Sequence, residues 1–172
     1  RVDGGRAALQ GLLEAIEQLC GLPLMASVLE TLALPQRIAN YMPEMLDSLI
    51  ASGEVCWVGE GRAGESEGRV SLHLREAMEV TLRASEGDDV WAEKQMWLLE
   101  RLGGGAAVFG TDLLAEAKKL DPDLAASDFA DLMWDLAWGG LITSDSLVAM
   151  RAVVSGRSSA QKTQRTRPRS QR

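Results

Sequence analysis

The chain has 172 residues, of which 46% are hydrophobic and 25% charged, and its formal net charge is −7. This composition is typical of a globular protein with one domain or two small ones. No apolar run of about 18 residues is present and the amino end lacks the features of a signal peptide, so no contact with a membrane is expected. The first residue is Arg1 rather than Met, which indicates a piece of a longer chain.

Three helices are predicted in the first third of the chain. The first is amphipathic, and its apolar face consists of Leu9, Leu12, Leu13, Ile16 and Leu19. A second, short helix is predicted over residues 25–32. The third begins at Pro43, whose missing N–H costs nothing in a first helical turn, and it ends at Gly53.

The pattern then changes from helix to strand. Residues 54–58 and 69–74 have the composition and alternation of strands, and the glycine-rich residues between them indicate a hairpin. Residues 79–82 are predicted to add a third strand. Gly59, Gly61 and Gly64 have the spacing of a dinucleotide-binding loop, but such a loop needs a helix after it and a strand follows here. These glycines therefore indicate a hairpin connector.

The helical period returns in the second half of the chain. Helices are predicted over residues 88–102, 111–119 and 128–138, the last with Ser127 as its N-cap. Gly140 ends the third of these helices, and a short strand is predicted at residues 141–143. Asp145 is predicted to cap a last helix that runs through residue 154.

Two segments share a helix–glycine–strand pattern at a constant offset of 87 residues. Positions Met45, Leu46, Leu49, Gly53 and Val55 correspond to Leu132, Met133, Leu136, Gly140 and Ile142. In winged-helix domains the third helix ends at a glycine and leads into a strand that packs back on it. We therefore predict two winged-helix-like units; the alternative is that any helix–glycine–strand unit would show the pattern.

The predicted fold class is α+β and helix-rich, with two winged-helix-like units and a small antiparallel β-sheet or barrel segment between them. The predicted domains are residues 1–86, a winged-helix-like unit leading into the hairpin or barrel segment; residues 87–154, a second winged-helix unit; and residues 155–172, a disordered basic tail. The tail holds six basic residues and no acid, which leaves 12 basic and 25 acidic residues elsewhere. Its arginines, including Arg165, Arg167 and Arg169, bind phosphates by releasing counterions, or the tail is a solubilising linker.

The residues give little support for catalysis by this chain. There is no Gly-x-x-x-x-Gly-Lys-Ser/Thr loop for ATP and no Gly-x-Ser-x-Gly elbow for a Ser–His–Asp site. His73 is the one histidine of the sequence, and without a second His or a paired Cys a metal site is not expected. Cys20 and Cys56 are predicted to be reduced, buried thiols rather than a disulfide.

Nucleic-acid contacts are predicted at the sheet rather than at the third helix of either unit. Those helices carry acidic residues that repel phosphate: Glu44, Asp47, Asp128, Asp131 and Asp135. The candidates for contact are Arg37, Arg62, Arg69 and Arg75. Trp57, on the first strand of the hairpin, either stacks on a base or packs in the core. Trp134 and Trp138 are four residues apart, so they are expected to share a helix face in the core.

Three stretches resemble the large helicase-related (Lhr) family of DNA helicases. The first resembles the segment after the motor and reads Leu34-Pro35-Gln36-Arg37-Ile38, Tyr41, Pro43, Met45-Leu46-Asp47, Leu49, Ser52-Gly53-Glu54-Val55 and Trp57-Val58-Gly59. The second resembles the strand that follows and reads Gly68-Arg69-Val70-Ser71-Leu72-His73-Leu74. The third resembles a later winged-helix motif and reads Asp131-Leu132-Met133-Trp134-Asp135-Leu136, Trp138, Gly140-Leu141-Ile142-Thr143, Asp145, Leu147 and Arg151-Ala152. The likeness covers nearly the whole chain.

The resemblance implies a parent protein that is an ATP-dependent, 3′-to-5′ DNA helicase linked to DNA repair. Its motor of two RecA-like domains would use ATP and Mg²⁺, and this chain would be the carboxy-terminal accessory region after the motor, with no cofactor of its own. The implied partners are single-stranded DNA or an RNA:DNA hybrid and the motor domains of the same parent chain. The implied location is the bacterial cytoplasm, in association with the nucleoid.

Two other functions are kept beside the nucleic-acid-binding one. The accessory region of the family is similar in fold to bacterial DNA glycosylases, and some members are linked to uracil excision. The Gln-x-Gln or Gln-x-Asp motif of those glycosylases is absent from this sequence. The remaining alternative is a protein-interaction or oligomerisation module in which the acidic winged helices bind protein.

Overall fold

The structure, a computed structural model, describes residues 2–64, 67–82, 93–104 and 107–155. Within these ranges it is α+β and helix-rich with a small antiparallel sheet, which confirms the predicted fold class. In chain order the elements are α1 (Val2–Leu19), β1 (Leu24–Met25), α2 (Ala26–Val28) continuing as a π-helical turn (Leu29–Ala33), α3 (Pro43–Ala51), β2 (Val55–Arg62), β3 (Gly68–Leu74), a 3-10 turn (Arg75–Ala77), α4 (Met78–Thr81), α5 (Glu93–Leu102), α6 (Gly110–Leu120), α7 (Ala126–Trp138) and α8 (residues 148–155). None of the described helices combines the length and apolar character needed to cross a membrane.

The sheet has the strand order β1-β3-β2, and both pairings are antiparallel. The predicted hairpin is β2 and β3, with Val55 opposite Leu74 and Gly59 opposite Val70. The two-residue strand β1 pairs Leu24 with Val70 and was not predicted, because two residues show no period in a sequence. This arrangement gives three helical segments followed by a wing formed by β2 and β3.

The first hydrophobic core lies between α1, α3 and one face of the sheet. Leu12 and Ile16 of α1 are fully buried against Leu46 of α3 and Leu72 of β3. Their spacing in α1 is that of the predicted apolar face, so burial of this face explains why the segment is helical. Trp138, from the end of α7, completes the same core.

A second, smaller core is formed by α5, α6 and α7. It consists of the buried residues Leu98, Leu113, Ala117, Leu124, Phe129 and Leu136. Helix α7 belongs to both cores, because Phe129 and Leu136 lie in the second while Ala137 and Trp138 lie in the first. The predicted boundary between residues 86 and 87 lies outside the described residues and stays a prediction.

The repeat at an offset of 87 residues is present in the structure where α3 and α7 end. Gly53 and Gly140 both adopt positive φ angles, 76° and 73°. Each donates its N–H to the residue three before it, and the next residue donates to the carbonyl five before it. This is the same Schellman arrangement at both ends, and glycine permits the left-handed conformation that it requires.

Two predicted strands are wrong. Residues 79–82 were expected in the sheet, but Met78–Thr81 form the helix α4, in which Val80 is 89% exposed and has no face to pack against. Residues 141–143 form no strand: Thr143 donates its hydroxyl hydrogen to the Trp57 carbonyl oxygen at 2.7 Å, beside the free edge of β2. The segment therefore covers this edge through side-chain bonds without a backbone ladder.

Smaller differences concern helix starts and the cysteines. Ala125 rather than Ser127 is the N-cap of α7, and α8 starts at residue 148, three residues after the predicted cap Asp145. Residues 88–92, predicted as helix, lie outside the described residues. Cys20 and Cys56 are free, as predicted, but both are half-buried rather than buried. Burial raises the pKa of the Cys56 thiol, against a weaker lowering by its bond to Thr143.

Candidate nucleic-acid interface

The helix α3 would be the DNA-reading helix of an ordinary winged helix, and here α8 contacts it. Arg151 of α8 binds the Asp47 carboxylate through Nη1 at 2.7 Å and through Nη2 at 3.0 Å. The same carboxylate accepts the Leu147 N–H at 2.9 Å, just before α8. The Asp47 carboxylate of α3 is therefore bound by other groups of the protein.

Arg151 also binds a second carboxylate. Its Nε and Nη2 atoms lie 2.6 Å and 2.9 Å from the two oxygens of Glu30, a bidentate arrangement. Tyr41 donates its hydroxyl hydrogen to Glu30 at 2.6 Å. We refer to Glu30, Tyr41, Asp47 and Arg151 as the Arg151 cluster, which joins the π-helical turn, α3 and α8.

The cluster changes the acidity of its members in the directions expected for a partly buried ion pair. Burial alone would raise the pKa of Asp47, but its bonds to Arg151 and to the Leu147 N–H hold that pKa below its usual range. The bond to Glu30 raises the pKa of Arg151. Burial, with the bond to Glu30, raises the pKa of Tyr41. With these directions Asp47 is negative, Arg151 is positive and Tyr41 is neutral near pH 7, so the Asp47–Arg151 ion pair is formed there.

The wing has two different faces near its tip. Arg62 is opposite Gly68 in the hairpin and forms an ion pair with Asp135 of α7. Arg69 is next to Gly68, so its side chain lies on the other face of the sheet, and it is exposed. Arg69 forms no ion pair with any residue in the ranges that the structure describes.

The other predicted arginines lie apart from this pair. Arg37 is exposed and donates from Nη1 to the Ala33 carbonyl at 2.8 Å. Arg75 lines an open groove of about 820 Å³ between α1, the α3–β2 turn and the end of β3. Five glutamates line the same groove: Glu14, Glu17, Glu54, Glu76 and Glu79. Their negative charge makes Arg75 a poor position for a phosphate.

Trp57 is not available to a base. It is 2% exposed, it packs in the first core, and its Nε1 donates to the Ser144 carbonyl at 3.2 Å. The prediction that it stacks on a nucleic-acid base is therefore wrong, and its alternative, core packing, is confirmed. Trp134 and Trp138 stack with ring centroids 5.4 Å apart at the edge of the same core, as predicted. Arg165, Arg167 and Arg169 lie outside the described residues.

Comparison with known proteins places this geometry in a family. Residues 2–75, which contain α1, α3 and the wing, match the family described as "Large helicase-related protein, winged-helix domain". The chain belongs to the large helicase-related (Lhr) family. Helices α7 and α8 follow the matched residues, and they contact the wing through Asp135 and the third helix through Arg151.

Two curated relatives extend the similarity over most of the chain. One is "Lhr helicase/ probable uracil glycosylase" of Mycolicibacterium smegmatis, 38% identical over 149 residues, which are 86% of this chain and 10% of that protein. The other is "Lhr helicase/uracil glycosylase" of Escherichia coli K12, 34% identical over 166 residues, which are 95% of this chain and 11% of that protein. The chain therefore spans about a tenth of the length of these Lhr proteins.

A buried polar chain crosses the outer face of the Lhr wing. Ser71 donates to Glu60 at 2.6 Å, His73 Nε2 lies 2.8 Å from Ser71 Oγ, and His73 Nδ1 lies 2.7 Å from Thr81 Oγ1. Ser71 is 1% exposed and His73 is fully buried. A Ser–His pair is therefore present, but no substrate can reach its hydroxyl. Burial lowers the pKa of His73, and the negative charge of Glu60 partly opposes this.

Sequence reasoning missed the residues that decide which surface is accessible. Arg151 and Glu30 are 121 positions apart, so no local sequence pattern connects them. Each looks like an ordinary charged surface residue in the sequence. Asp135 was read as an acid that repels phosphate and is instead the partner of Arg62. Among the described residues, no group of three or more His, Cys, Asp or Glu side chains could hold a metal ion.

Proposed function

We propose that this chain is a nucleic-acid-binding accessory region of an Lhr helicase, and that it contacts nucleic acid through the wing. The observation that carries the proposal is the match of residues 2–75 to the Lhr winged-helix domain, together with relatives whose names include helicase. In the proposal the ATP- and Mg²⁺-dependent motor lies elsewhere in the parent protein. The partner is single-stranded DNA or an RNA:DNA hybrid, and the parent acts in DNA repair.

The choice of the wing follows from charge and access. Asp47 of α3 is bound by Arg151 of α8, and the exposed Glu44 of the same helix adds a negative charge that repels phosphate. Arg69 is exposed and unpaired among the described residues, and the neighbouring Arg62 is held by Asp135. Arg69 is the primary contact, Arg37 is the secondary one, and the tail arginines add counterion release.

Salt dependence tests this proposal. The purified chain is expected to bind a fluorescent single strand or an RNA:DNA hybrid, with log K falling linearly as log salt rises. Arg69→Gln should weaken binding and reduce the slope by about one, because one phosphate contact is lost. Arg101→Gln is the matched control, since Arg101 is bound by Glu116 on the second core and should leave binding unchanged.

Two outcomes would overturn the proposal. One is the absence of any salt-dependent binding of either probe at low salt. The other is a stable oligomer, measured by light scattering, that binds neither probe, which would favour the protein-interaction alternative. The uracil glycosylase activity in the names of both relatives is tested separately, by incubating the chain with uracil-containing DNA and measuring abasic sites. No abasic sites are expected, because the sequence lacks the glycosylase motif.

A further inference from the structure

The tip of the wing contains an irregularity that sets the direction of the Arg62 side chain. Two residues of β2, Glu60 and Gly61, lie opposite a single residue of β3, Arg69, so β2 has a bulge just before Arg62. Gly61 has a φ angle of 95°, in the region that favours glycine. Because side chains alternate along a strand, the extra residue moves the next side chain to the other face of the sheet. The bulge therefore places Arg62 on the face that α7 contacts.

Without the bulge, Arg62 and Arg69 would lie on the same face of the wing. Positions 60 and 62 share a face in a regular strand. Glu60 lies on the outer face, where its carboxylate accepts a hydrogen bond from a β3 side chain at 2.6 Å, and Arg69 is exposed on that face. Arg62 is instead opposite Gly68, on the face of the sheet against which α7 packs. The two basic side chains of the wing tip are therefore on opposite faces.

On the α7 face Arg62 meets a carboxylate. Its Nη2 is bonded to Asp135 Oδ1, and the other carboxylate oxygen lies 3.5 Å from Gln95 Nε2 of α5. The side chains of Arg62 and Asp135 are 38% and 39% exposed, so a phosphate can approach the pair. The guanidinium keeps further N–H donors, so the ion pair does not block a hydrogen bond. It cancels the net positive charge, on which phosphate binding by counterion release depends.

We propose that the bulge and Asp135 withhold the positive charge of Arg62 from nucleic acid. Among the residues that the structure describes, the wing tip then offers one unpaired arginine, Arg69, where its sequence provides two. Asp135 competes with a nucleic-acid phosphate for Arg62, so the Arg62–Asp135 contact is autoinhibitory. The inference rests on the proposed function, since it concerns binding of nucleic acid by the same wing.

Asp135→Asn is expected to release this charge with little change of shape. Asparagine has nearly the size of aspartate and keeps a side-chain oxygen that can accept from Gln95, so α7 should stay in place. The variant should bind a single-stranded oligonucleotide about fivefold more tightly at about 0.1 M salt, the counterion-release value for one further phosphate. The slope of log K against log salt should become steeper by about 0.7. Fluorescence anisotropy titrations at several salt concentrations measure both quantities.

Two further variants separate Arg62 from a general effect of charge. Asp128→Asn removes the same charge about two turns earlier on α7, where the Asp128 carboxylate accepts the Ser127 hydroxyl hydrogen at 3.4 Å, and it should raise the affinity much less. The double variant Arg62→Gln/Asp135→Asn has the net charge of the wild-type chain. Its affinity should equal that of the wild type, because neither protein offers a net charge at residue 62. Asp135→Ser, which also removes the carboxylate, should show the same gain as Asp135→Asn.

Three results would contradict the inference. Equal gains in Asp135→Asn and Asp128→Asn would show a general effect of charge. Weaker binding by the double variant than by the wild type would show that Arg62 contacts nucleic acid with the ion pair in place. Weaker binding by both Asp135 variants would show that Asp135 positions Arg62 for that contact.

The wild-type titration separates this inference from the proposed function. If neither the wild-type chain nor Asp135→Asn binds a single strand or an RNA:DNA hybrid at low salt, both the proposed function and the inference fail. If the wild type binds and Asp135→Asn gains nothing over Asp128→Asn, the inference fails alone.

Discussion

Replacing Arg151 with Met is expected to lower the free energy of unfolding by about 3 kcal/mol, because it leaves two partly buried carboxylates without their cation. The Arg151 side chain is 26% exposed, and those of Glu30 and Asp47 are 14% and 21% exposed. This partial access of water places the cost at the lower end for a broken buried ion pair. Chemical denaturation of the wild-type chain and the variant measures it.

Arg101→Met is the matched control for this substitution. Arg101 makes two bonds to Glu116, as Arg151 does to Glu30, but both partners are more than a third exposed. Exposed ion pairs contribute little to stability because water screens them, so this loss should be much smaller than that of Arg151→Met. Equal losses in the two variants would show that the Arg151 cluster is not a stabilising contact between α8 and the winged helix.

The acid sensitivity of the cluster gives the same comparison a second readout. The pKa of Asp47 is lowered in the fold, so its stabilisation is present at neutral pH and is lost as the pH falls below about 3.8, its ordinary value. Arg151→Met removes the cation that lowers this pKa. Between pH 5 and the lowest pH at which both proteins remain folded, the variant should therefore lose less stability than the wild-type chain. Unfolding measurements at steps of about one pH unit make this comparison.

Gly59→Ala is expected to destabilise the chain by about 3 kcal/mol, at the upper end of ordinary overpacking. A Cβ at residue 59 would lie 1.9 Å from the Ala137 carbonyl oxygen, and one at Gly68 would lie 2.3 Å from the Trp138 ring. The end of α7 therefore rests directly on the backbone of the wing. Because Ala137 contributes main-chain atoms, it cannot move aside as a flexible side chain could.

Gly11→Ala is the control for this substitution. Its new Cβ would have Ile38 Cδ1 as its nearest neighbour at 3.9 Å, an ordinary contact, and it lies in the middle of α1. Alanine there should raise stability by up to about 1 kcal/mol through its higher helix propensity. Thermal or denaturant unfolding measures both variants, and a neutral Gly59→Ala would contradict the packing of α7 on the wing.

Some of the fold follows from local patterns in the sequence. The amphipathic face of α1 is predicted because Leu12 and Ile16 have helical spacing, and both are fully buried. The repeat at offset 87 is predicted because Gly53 and Gly140 each follow an apolar helix. The hairpin is predicted because apolar residues alternate along β2, and the apolar positions Val55 and Trp57 are buried. In each case the signal lies within one element.

Other features depend on contacts between distant residues. The sequence Glu79-Val80-Thr81-Leu82 has the alternation of a strand, but Thr81 is drawn to His73 and no partner strand is available. Residues 141–143 likewise match the strand of the first unit, yet they lie beside the free edge of β2 without a backbone ladder, and Thr143 binds that edge through its side chain. Pairing of this kind is decided by the whole fold and not by local composition.

The candidate site was only partly predictable for the same reason. Exposure of Arg37 and Arg69 follows from charge, whereas the pairing of Arg62 with Asp135 follows from α7 resting on Gly59 and Gly68. Acidity of α3 was the reason for excluding this helix from the predicted contacts, and that exclusion stays a prediction. Its role in binding Arg151 had no signal in the sequence.

Amide NMR with a short single-stranded oligonucleotide distinguishes binding at the wing from binding at α3. The largest chemical-shift changes are expected at Arg69 and its neighbours on β3, followed by Arg37, and Arg69→Gln should reduce them. The amides of residues 44–51 in α3 should change little, because α8 and the Arg151 cluster stay in place. Large changes along α3, with Arg69 unaffected, would show that nucleic acid binds α3 and not the wing.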